Sequence, residues 1–174
     1  MVYHSSLNDA DAQTACGCAL LPMKTTTRGP APIAPEGGDD ILDETLMYFK
    51  ANVLFKHFEV KGAADRTLIY LTLYTTQCLQ KLEKCPNPAE GLKALTSMAH
   101  EQFRIPGDPG FALGSFFPAP ANAQESELCR SYLKQAREEL GRRLVSKVYS
   151  GEDGSASKFW IVFAKRKVRV QPMS

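Results

Sequence analysis

The sequence predicts an all-α fold: a compact single domain of about five helices with one central buried helix, preceded by an extended N-terminal arm. Two observations predict the helices. Apolar residues recur at spacings of three and four along most of the chain after residue 38, and capping residues precede these stretches. A third observation predicts the arm, because prolines and glycines interrupt any periodicity in residues 1–38. We therefore divide the chain into an arm, residues 1–38, and a helical domain, residues 39–174.

The arm contains four prolines and four glycines. Each proline removes a backbone donor and favours an extended conformation in the residue before it. The arm nevertheless carries an apolar stretch at residues 19–23. We therefore expect it to dock, either on its own domain or on a partner.

The first helix is predicted from about residue 41 to residue 58, with Asp39 or Asp40 as its cap and Gly62 beyond its end. The second is predicted from about Ala63 to Lys84 and carries two apolar stripes. A helix that is apolar over so much of its circumference belongs in the centre of a bundle. Its β-branched residues would also suit a strand, but its length without a turn signal favours a helix.

The segment Asn87–Glu90 predicts the start of a third helix, which would reach about Phe103. A similar capping signal at Asn122–Glu125 opens the longest helix, over about residues 123–149. Between these helices, residues 104–121 are rich in glycine and proline. A loop this long inside a compact domain is more often functional than idle.

Two further features concern the second half of the chain. The longest helix has a charged side, which we expect to face solvent or a partner: Lys134, Arg137, Glu138, Arg142 and Lys147. Residues 158–163 are aromatic and β-branched, which suits a strand, but no partner strand is evident. We therefore predict a fifth, short helix there, capped by Ser155 or Ser157.

Composition limits the function classes. The 174 residues carry 21 Lys and Arg against 19 Asp and Glu, a formal charge of +2. This balance gives no general attraction to nucleic acid or to an anionic membrane. No apolar run approaches the roughly 18 residues that a membrane span needs, so we expect no membrane insertion. The N-terminus lacks the pattern of a secretory signal, so we expect a cytoplasmic protein with reduced cysteines.

The candidate catalytic and metal-binding residues have simpler interpretations. Cys16 and Cys18 lack the spacing and the further ligands of a structural zinc site, so we interpret all five cysteines as ordinary thiols. His57 and His100 have no nucleophile or acidic partner implied by the sequence. The sequence contains no Walker-type loop, dinucleotide-binding glycine run, nucleophile elbow or zinc-protease helix. We therefore expect no enzyme activity and no cofactor; a small enzyme using Cys16 or Cys18 is the catalytic alternative.

Several short stretches, taken together and in this order, resemble subunit 3 of the actin-related protein 2/3 complex. They span nearly the whole chain: residues 3–6 (YHSS), 19–22 (ALLP), 29–32 (GPAP), 48–53 (YFKANV), 65–70 (DRTLIY), 105–111 (IPGDPGF) and 157–160 (SKFW). The resemblance implies a compact, nearly all-helical fold with no catalytic activity and no nucleotide of its own. It also implies a place in the assembly that nucleates a branch on the side of an existing actin filament.

The resemblance further implies the partners and the location. The expected partners are actin-related protein 3 and other subunits of the complex and, in the branch, actin-related protein 2 and the mother actin filament. The expected location is the cytoplasm and the cytoskeleton, at sites of branched actin. The alternative from the residues alone is a stand-alone cytosolic helical adaptor outside the actin system.

Three segments lie outside the helical stripes, and we predict that they share partner binding. The arm and the loop offer apolar residues on a backbone stiffened by prolines, which reduces the entropy lost on docking. The basic end either faces solvent or docks on an acidic protein surface. Nucleic acid is a less favoured partner, because the chain has no array of aromatic residues on which bases could stack. The predicted residues are Leu20, Leu21, Pro22, Pro30 and Pro32 in the arm, Ile105, Pro106, Pro109 and Phe111 in the loop, and Lys165, Arg166 and Lys167 at the end.

Overall fold

The computed structural model describes residues 1–54, 57–165 and 171–172. In this part of the chain five α-helices are found: α1 (Ile41–Asn52), α2 (Ala63–Leu82), α3 (Pro88–His100), α4 (Ala123–Val148) and α5 (Lys158–Ile161). Short 3₁₀ helices lie at Gly114–Phe116 and Val162–Lys165. Four two-residue strands complete it: β1 (Thr14–Ala15), β2 (Cys18–Ala19), β3 (His57–Phe58) and β4 (Gln171–Pro172).

The protein is mostly helical but not strictly all-α, so the predicted fold class is correct only at this coarser level. Strands β1 and β2 pair antiparallel, and β3 pairs with β4 in parallel. The β1–β2 turn places Cys16 at φ 51° and Gly17 at φ 76°. Two consecutive residues with positive φ are typical of tight two-residue hairpins.

Helix α1 begins with a reciprocal cap. The Asp40 carboxylate accepts hydrogen bonds from the amides of Leu42 (3.1 Å) and Asp43 (2.9 Å), and the Asp43 carboxylate accepts one from the Asp40 amide (3.0 Å). Asp40, not Asp39, is therefore the cap. The helix ends at Asn52, so the predicted extension to residue 58 is wrong. The chain instead forms β3, whose partner strand comes from the far end of the sequence.

Helix α2 is the buried centre of the domain, as predicted. It packs against α1, α3, α4 and β2, and 14 of its 20 residues are buried. Two of its buried threonines satisfy their hydroxyls within the helix: Thr72 donates to the Leu68 carbonyl and Thr75 to the Leu71 carbonyl, each at 2.7 Å. This bonding lets β-branched polar residues lie in a helical core, where the alternative of a strand is wrong.

The starts of α3 and α4 follow the sequence signals closely. Asn87 accepts from the Glu90 amide and Asn122 from the Glu125 amide, both at 2.9 Å. Helix α3 ends at His100 rather than near Phe103, because the backbone becomes extended at the next residue. Helices α3 and α4 pack closely at Gly141 of α4, which lies against Leu95 of α3.

Helix α5 confirms the predicted short helix and continues into the second 3₁₀ helix. Ser157 occupies the cap position, but its side chain makes no capping hydrogen bond. Trp160 stacks on Phe49 of α1 with ring centroids 6.0 Å apart, and Phe163 meets the same ring edge-on at 5.7 Å. These aromatic contacts hold the C-terminal helices against α1.

The arm docks on its own domain between residues 14 and 23. Seven apolar residues of this stretch are buried in the common core: Ala15, Cys16, Cys18, Ala19, Leu20, Leu21 and Met23. Its carbonyls are bonded from the helices, because Thr67 donates to the Ala19 oxygen (2.8 Å) and Tyr132 to the Leu21 oxygen (2.9 Å). Among the described residues, no helix is long and apolar enough to cross a membrane.

Candidate partner-binding surface

The structure separates the predicted arm residues into two groups. Leu20 and Leu21 are 3% and 0% exposed, so they belong to the core, and their assignment to the surface is wrong. Pro22 is half-buried, whereas Pro30 and Pro32 are exposed. Ile33, beside Pro32, is 94% exposed and was missed because it was read as part of an irregular, proline-rich stretch.

The predicted loop residues also divide. Ile105 and Pro106 are buried, which removes them from the surface, and Pro109 is exposed. Phe111 is half-buried: its ring lies 6.4 Å from Tyr70 in a stacked arrangement and 5.5 Å from Phe117 edge-on. The loop therefore uses most of its apolar side chains to pack on the chain itself.

At the basic end, the structure describes only the first predicted residue. The Lys165 side chain is exposed, and its ammonium lies 3.8 Å from the Glu83 carboxylate. A surface pair at this distance stabilises little and leaves the charge available. Arg166 and Lys167 lie outside the described residues.

Four exposed apolar residues in or just after α1 and α5, which we call the α1–α5 patch, were not predicted. They are Met47, Leu54, Phe159 and Val162, with Phe159 67% exposed. Lys50, one helical turn from Met47, joins the two helices because its ammonium lies 2.9 Å from the centre of the Phe159 ring. Burial beside the rings lowers the pKa of Lys50. Met47 lies on α1, whereas Leu54 lies two residues beyond its end at Asn52.

The charged side of α4 forms a polar cleft of about 570 Å³ with the arm. Lys134 and Arg142 line it from α4, and Arg28 lines it from the arm. His100 approaches the Glu138 carboxylate at 3.2 Å, and Arg142 pairs with Glu139 at 2.8 Å. The cleft is therefore rich in cations that are only partly neutralised.

Arg137 was predicted on this charged side, and that prediction is wrong. It is 5% exposed and points into the core instead. Its guanidinium lies 4.4 Å from the Tyr74 ring centre and 4.1 Å from that of Phe103. Aromatic faces stabilise the cation there, which a helical period alone cannot reveal.

A second arginine ties α4 to the start of α1. Arg143 donates to both carboxylate oxygens of Asp40, at 2.7 and 2.8 Å, and to Glu139 at 3.0 Å. Burial alone would raise the pKa of Asp40, but the hydrogen bonds from Arg143 and from the amides of Lys24 and Asp43 lower it to about 2. Asp40 thus stays ionised and fixes the arm, α1 and α4 together.

The described residues contain no group of three His, Cys, Asp or Glu side chains that could hold a metal ion. The five cysteines are free thiols. Burial raises the pKa of Cys16 and of Cys18, and it raises that of Cys78 to about 12. Because the thiolate is the nucleophile, these shifts argue against the alternative of a cysteine enzyme.

The fold and surface define a class of protein: a small, mostly helical chain with exposed apolar and basic groups around a buried core, as in proteins that act through protein contacts. Comparison with known proteins identifies the particular family. The model of the P21-Arc family, described as the ARP2/3 complex ARPC3 (21 kDa) subunit, matches residues 1–171. The chain belongs to this family, which confirms the resemblance noted in the sequence.

Similar proteins cover nearly the whole chain. One from Arabidopsis thaliana is 46% identical over 168 residues, 96% of each chain. One from Dictyostelium discoideum is 47% identical over 169 residues, covering 96% of this chain and 97% of its own. One from Schizosaccharomyces pombe is 45% identical over 166 residues, 95% of each chain. All three are named actin-related protein 2/3 complex subunit 3.

Proposed function

We propose that this chain is a non-catalytic structural subunit of the actin-related protein 2/3 complex and contributes to actin filament nucleation and branching through protein–protein contacts. The observation that carries the proposal is the family match over residues 1–171. The relatives support it because they match over nearly their full lengths and bear the name of a complex subunit. Their names favour a complex member over a stand-alone adaptor. The chain then acts in the cytoplasm, at the actin cytoskeleton.

The proposed partners are actin-related protein 3 and other subunits and, in the branch, actin-related protein 2 and the mother filament. A subunit without catalysis promotes branching by binding one arrangement of the complex better than another. The packing of α1, α2 and α4 on one another supports such a role, because a surface that is already ordered loses little entropy on docking.

The proposed partner-binding surface is a corrected version of the predicted one. It keeps the exposed Pro30 and Pro32 and adds Ile33 beside them, and it keeps Pro109 and the basic end at Lys165. It also gains the α1–α5 patch. Among these groups Phe159 is the largest exposed ring, and aromatic side chains are frequent hot spots once a partner buries them.

Co-purification tests the proposed function. A tagged chain expressed in its own cells should co-elute with actin-related proteins 2 and 3 in stoichiometric amounts. Depleting it from the complex and adding it back should reduce and then restore branched nucleation. A chain that elutes alone, and whose removal leaves branching unchanged, would refute the proposal.

A matched pair of variants tests the surface. Phe159→Asp should weaken incorporation into the complex at least about thirtyfold, since a hot-spot loss of about 2 kcal/mol or more corresponds to that factor. The control is Leu92→Asp, which changes another exposed apolar residue, on α3, away from the patch. Circular dichroism of both variants confirms that the helices persist. Equal incorporation of both variants would remove the α1–α5 patch from the surface.

A further inference from the structure

A pocket lies between α2, α4 and the loop after α3, and the proposed function assigns it no role. Its volume is about 240 Å³. Four aromatic rings and two guanidinium groups dominate its lining: Tyr70, Tyr74, Phe103, Arg104, Phe111 and Arg137. No acidic residue is among the described residues that line it.

Arg137 is the unusual member of this pocket. Its Nη2 donates to the Met98 carbonyl at 2.7 Å and its Nη1 to the Tyr70 hydroxyl at 3.3 Å. Its buried Nε has no acceptor, and no carboxylate lies within ion-pair distance among the described residues. The Tyr74 hydroxyl at the same pocket is buried too, with only the Cys78 thiol beside it, which is a weak partner.

Arg143, six residues along the same helix, has the carboxylate partners that Arg137 lacks among the described residues. Arg143 is surrounded by three carboxylates, from Asp40, Asp43 and Glu139. Arg137 has no carboxylate partner among the described residues, and its charge is offset by two neutral oxygens and by the faces of Tyr74 and Phe103. A buried cation with a free donor is stabilised by any carboxylate that reaches it, because a guanidinium and a carboxylate form short, charge-assisted hydrogen bonds.

We propose that this pocket binds a carboxylate carried on a small apolar or aromatic frame. The carboxylate pairs with Arg137, and the frame lies among the rings of Tyr70, Phe103 and Phe111. The Arg137 Nε atom itself is buried, so the ligand reaches it after an aromatic side chain of the loop changes its conformation. The size of the pocket suits one substituted ring or one acidic side chain next to an apolar residue.

This chemistry has two sources, a free small molecule and an acidic side chain of a partner subunit. The first experiment establishes the chemistry on the full chain alone. ¹⁵N-labelled protein is titrated with phenylacetate and with phenylacetamide, its uncharged analogue, at the millimolar concentrations expected for so small a ligand. We expect phenylacetate to move the Arg137 Nε–Hε signal and to bind at least about tenfold more tightly than the amide, because hydrogen bonds to charged groups are the stronger ones.

Two variants sharpen the comparison. Arg137→Met should abolish the preference for the charged ligand, and Arg142→Met, on the same helix but outside the pocket, should keep it. Should Arg137→Met fail to fold, the Nε–Hε signal of the parent chain decides the question. Equal binding of the two ligands, or an Nε–Hε signal that neither ligand moves, would overturn the proposal.

The second experiment identifies the source and rests on the proposed function. Saturation transfer to phenylacetate is compared between the free chain and the purified complex, each with its Arg137→Met counterpart. Loss of the Arg137-dependent signal in the complex shows that a partner subunit fills or covers the pocket. Persistence of that signal shows that the pocket stays open to a free small molecule. Absence of the Arg137-dependent signal from the free chain overturns the pocket proposal without affecting the proposed function.

Discussion

Replacing Asp40 with Asn should destabilise the protein by an amount that depends on pH. Asp40 is nearly fully buried and accepts hydrogen bonds from Arg143 and from the amides of Lys24, Leu42 and Asp43. The amide of Asn keeps one acceptor for the helix cap but removes the charge that faces Arg143. The variant therefore removes the charge together with one acceptor, and only the charge makes its effect depend on pH in this range.

The magnitude follows from the pKa of Asp40, which falls from an ordinary value of 3.8 to about 2. At about 1.36 kcal/mol per pKa unit, this difference corresponds to roughly 2 kcal/mol of stability. Because the folded-state pKa is the lower one, this stability is fully present above the unfolded value of 3.8. It is lost as the pH falls toward about 2, with about half of it gone at pH 3.

The assay is urea unfolding followed by circular dichroism at pH 7, 5, 4, 3.5 and 3. We expect the parent chain to exceed Asp40→Asn in free energy of unfolding at pH 7, and the gap to narrow by about 1 kcal/mol at pH 3. Asp39→Asn is the control, since Asp39 is the exposed neighbour and caps nothing. If the difference in free energy of unfolding between the parent and Asp40→Asn stays constant from pH 7 to pH 3, the charge of Asp40 does not supply this stability.

Four other outcomes are expected. Leu71→Ala, in the centre of α2, should cost about 2–5 kcal/mol in unfolding free energy, and a change below about 0.5 kcal/mol would contradict its burial. Glu44→Ala should free the N-terminal residues, which hydrogen-bond to its carboxylate, and increase their amide hydrogen exchange while α2 stays protected. Reversing Lys165, Arg166 and Lys167 to Glu should slow assembly of the complex in stopped-flow measurements, with an effect that shrinks as salt is raised; a salt-independent effect would exclude steering. Chelator treatment should leave the melting temperature unchanged, and stoichiometric zinc in the purified chain would contradict this.

Local signals predicted the starts of the helices well. A cap is decided within four residues, so Asn87 and Asn122 could be read directly from the chain, and Asp40 could be read as one of two neighbouring candidates. The end of α1 could not be read in this way, because β3 pairs with residues more than a hundred positions later. The apolar residues keep a helical spacing beyond Asn52, although the helix ends there and the chain goes on to pair as β3.

The candidate surface was predicted less well, for a related reason. Leu21 and Arg137 both lie where sequence position suggested exposure, one in a proline-rich arm and the other on a charged helical side. Burial of each depends on a distant partner: the Tyr132 hydroxyl bonds the Leu21 carbonyl, and Phe103 covers the Arg137 guanidinium. Phe159, in contrast, was read only as part of an aromatic, β-branched stretch that forms a short helix, although its side chain is exposed. One sequence without its tertiary contacts cannot distinguish these cases.

The docked arm has a consequence for synthesis on the ribosome. Residues 14–23 are made before the helices, and the helix that bonds the Leu21 carbonyl through Tyr132 is made more than a hundred residues later. At translation rates of about 5–20 residues per second, the apolar arm waits roughly 5–20 seconds without its final neighbours. The nascent chain therefore exposes this apolar segment until α4 has been made. A chaperone that binds exposed apolar segments would act on the chain in this interval.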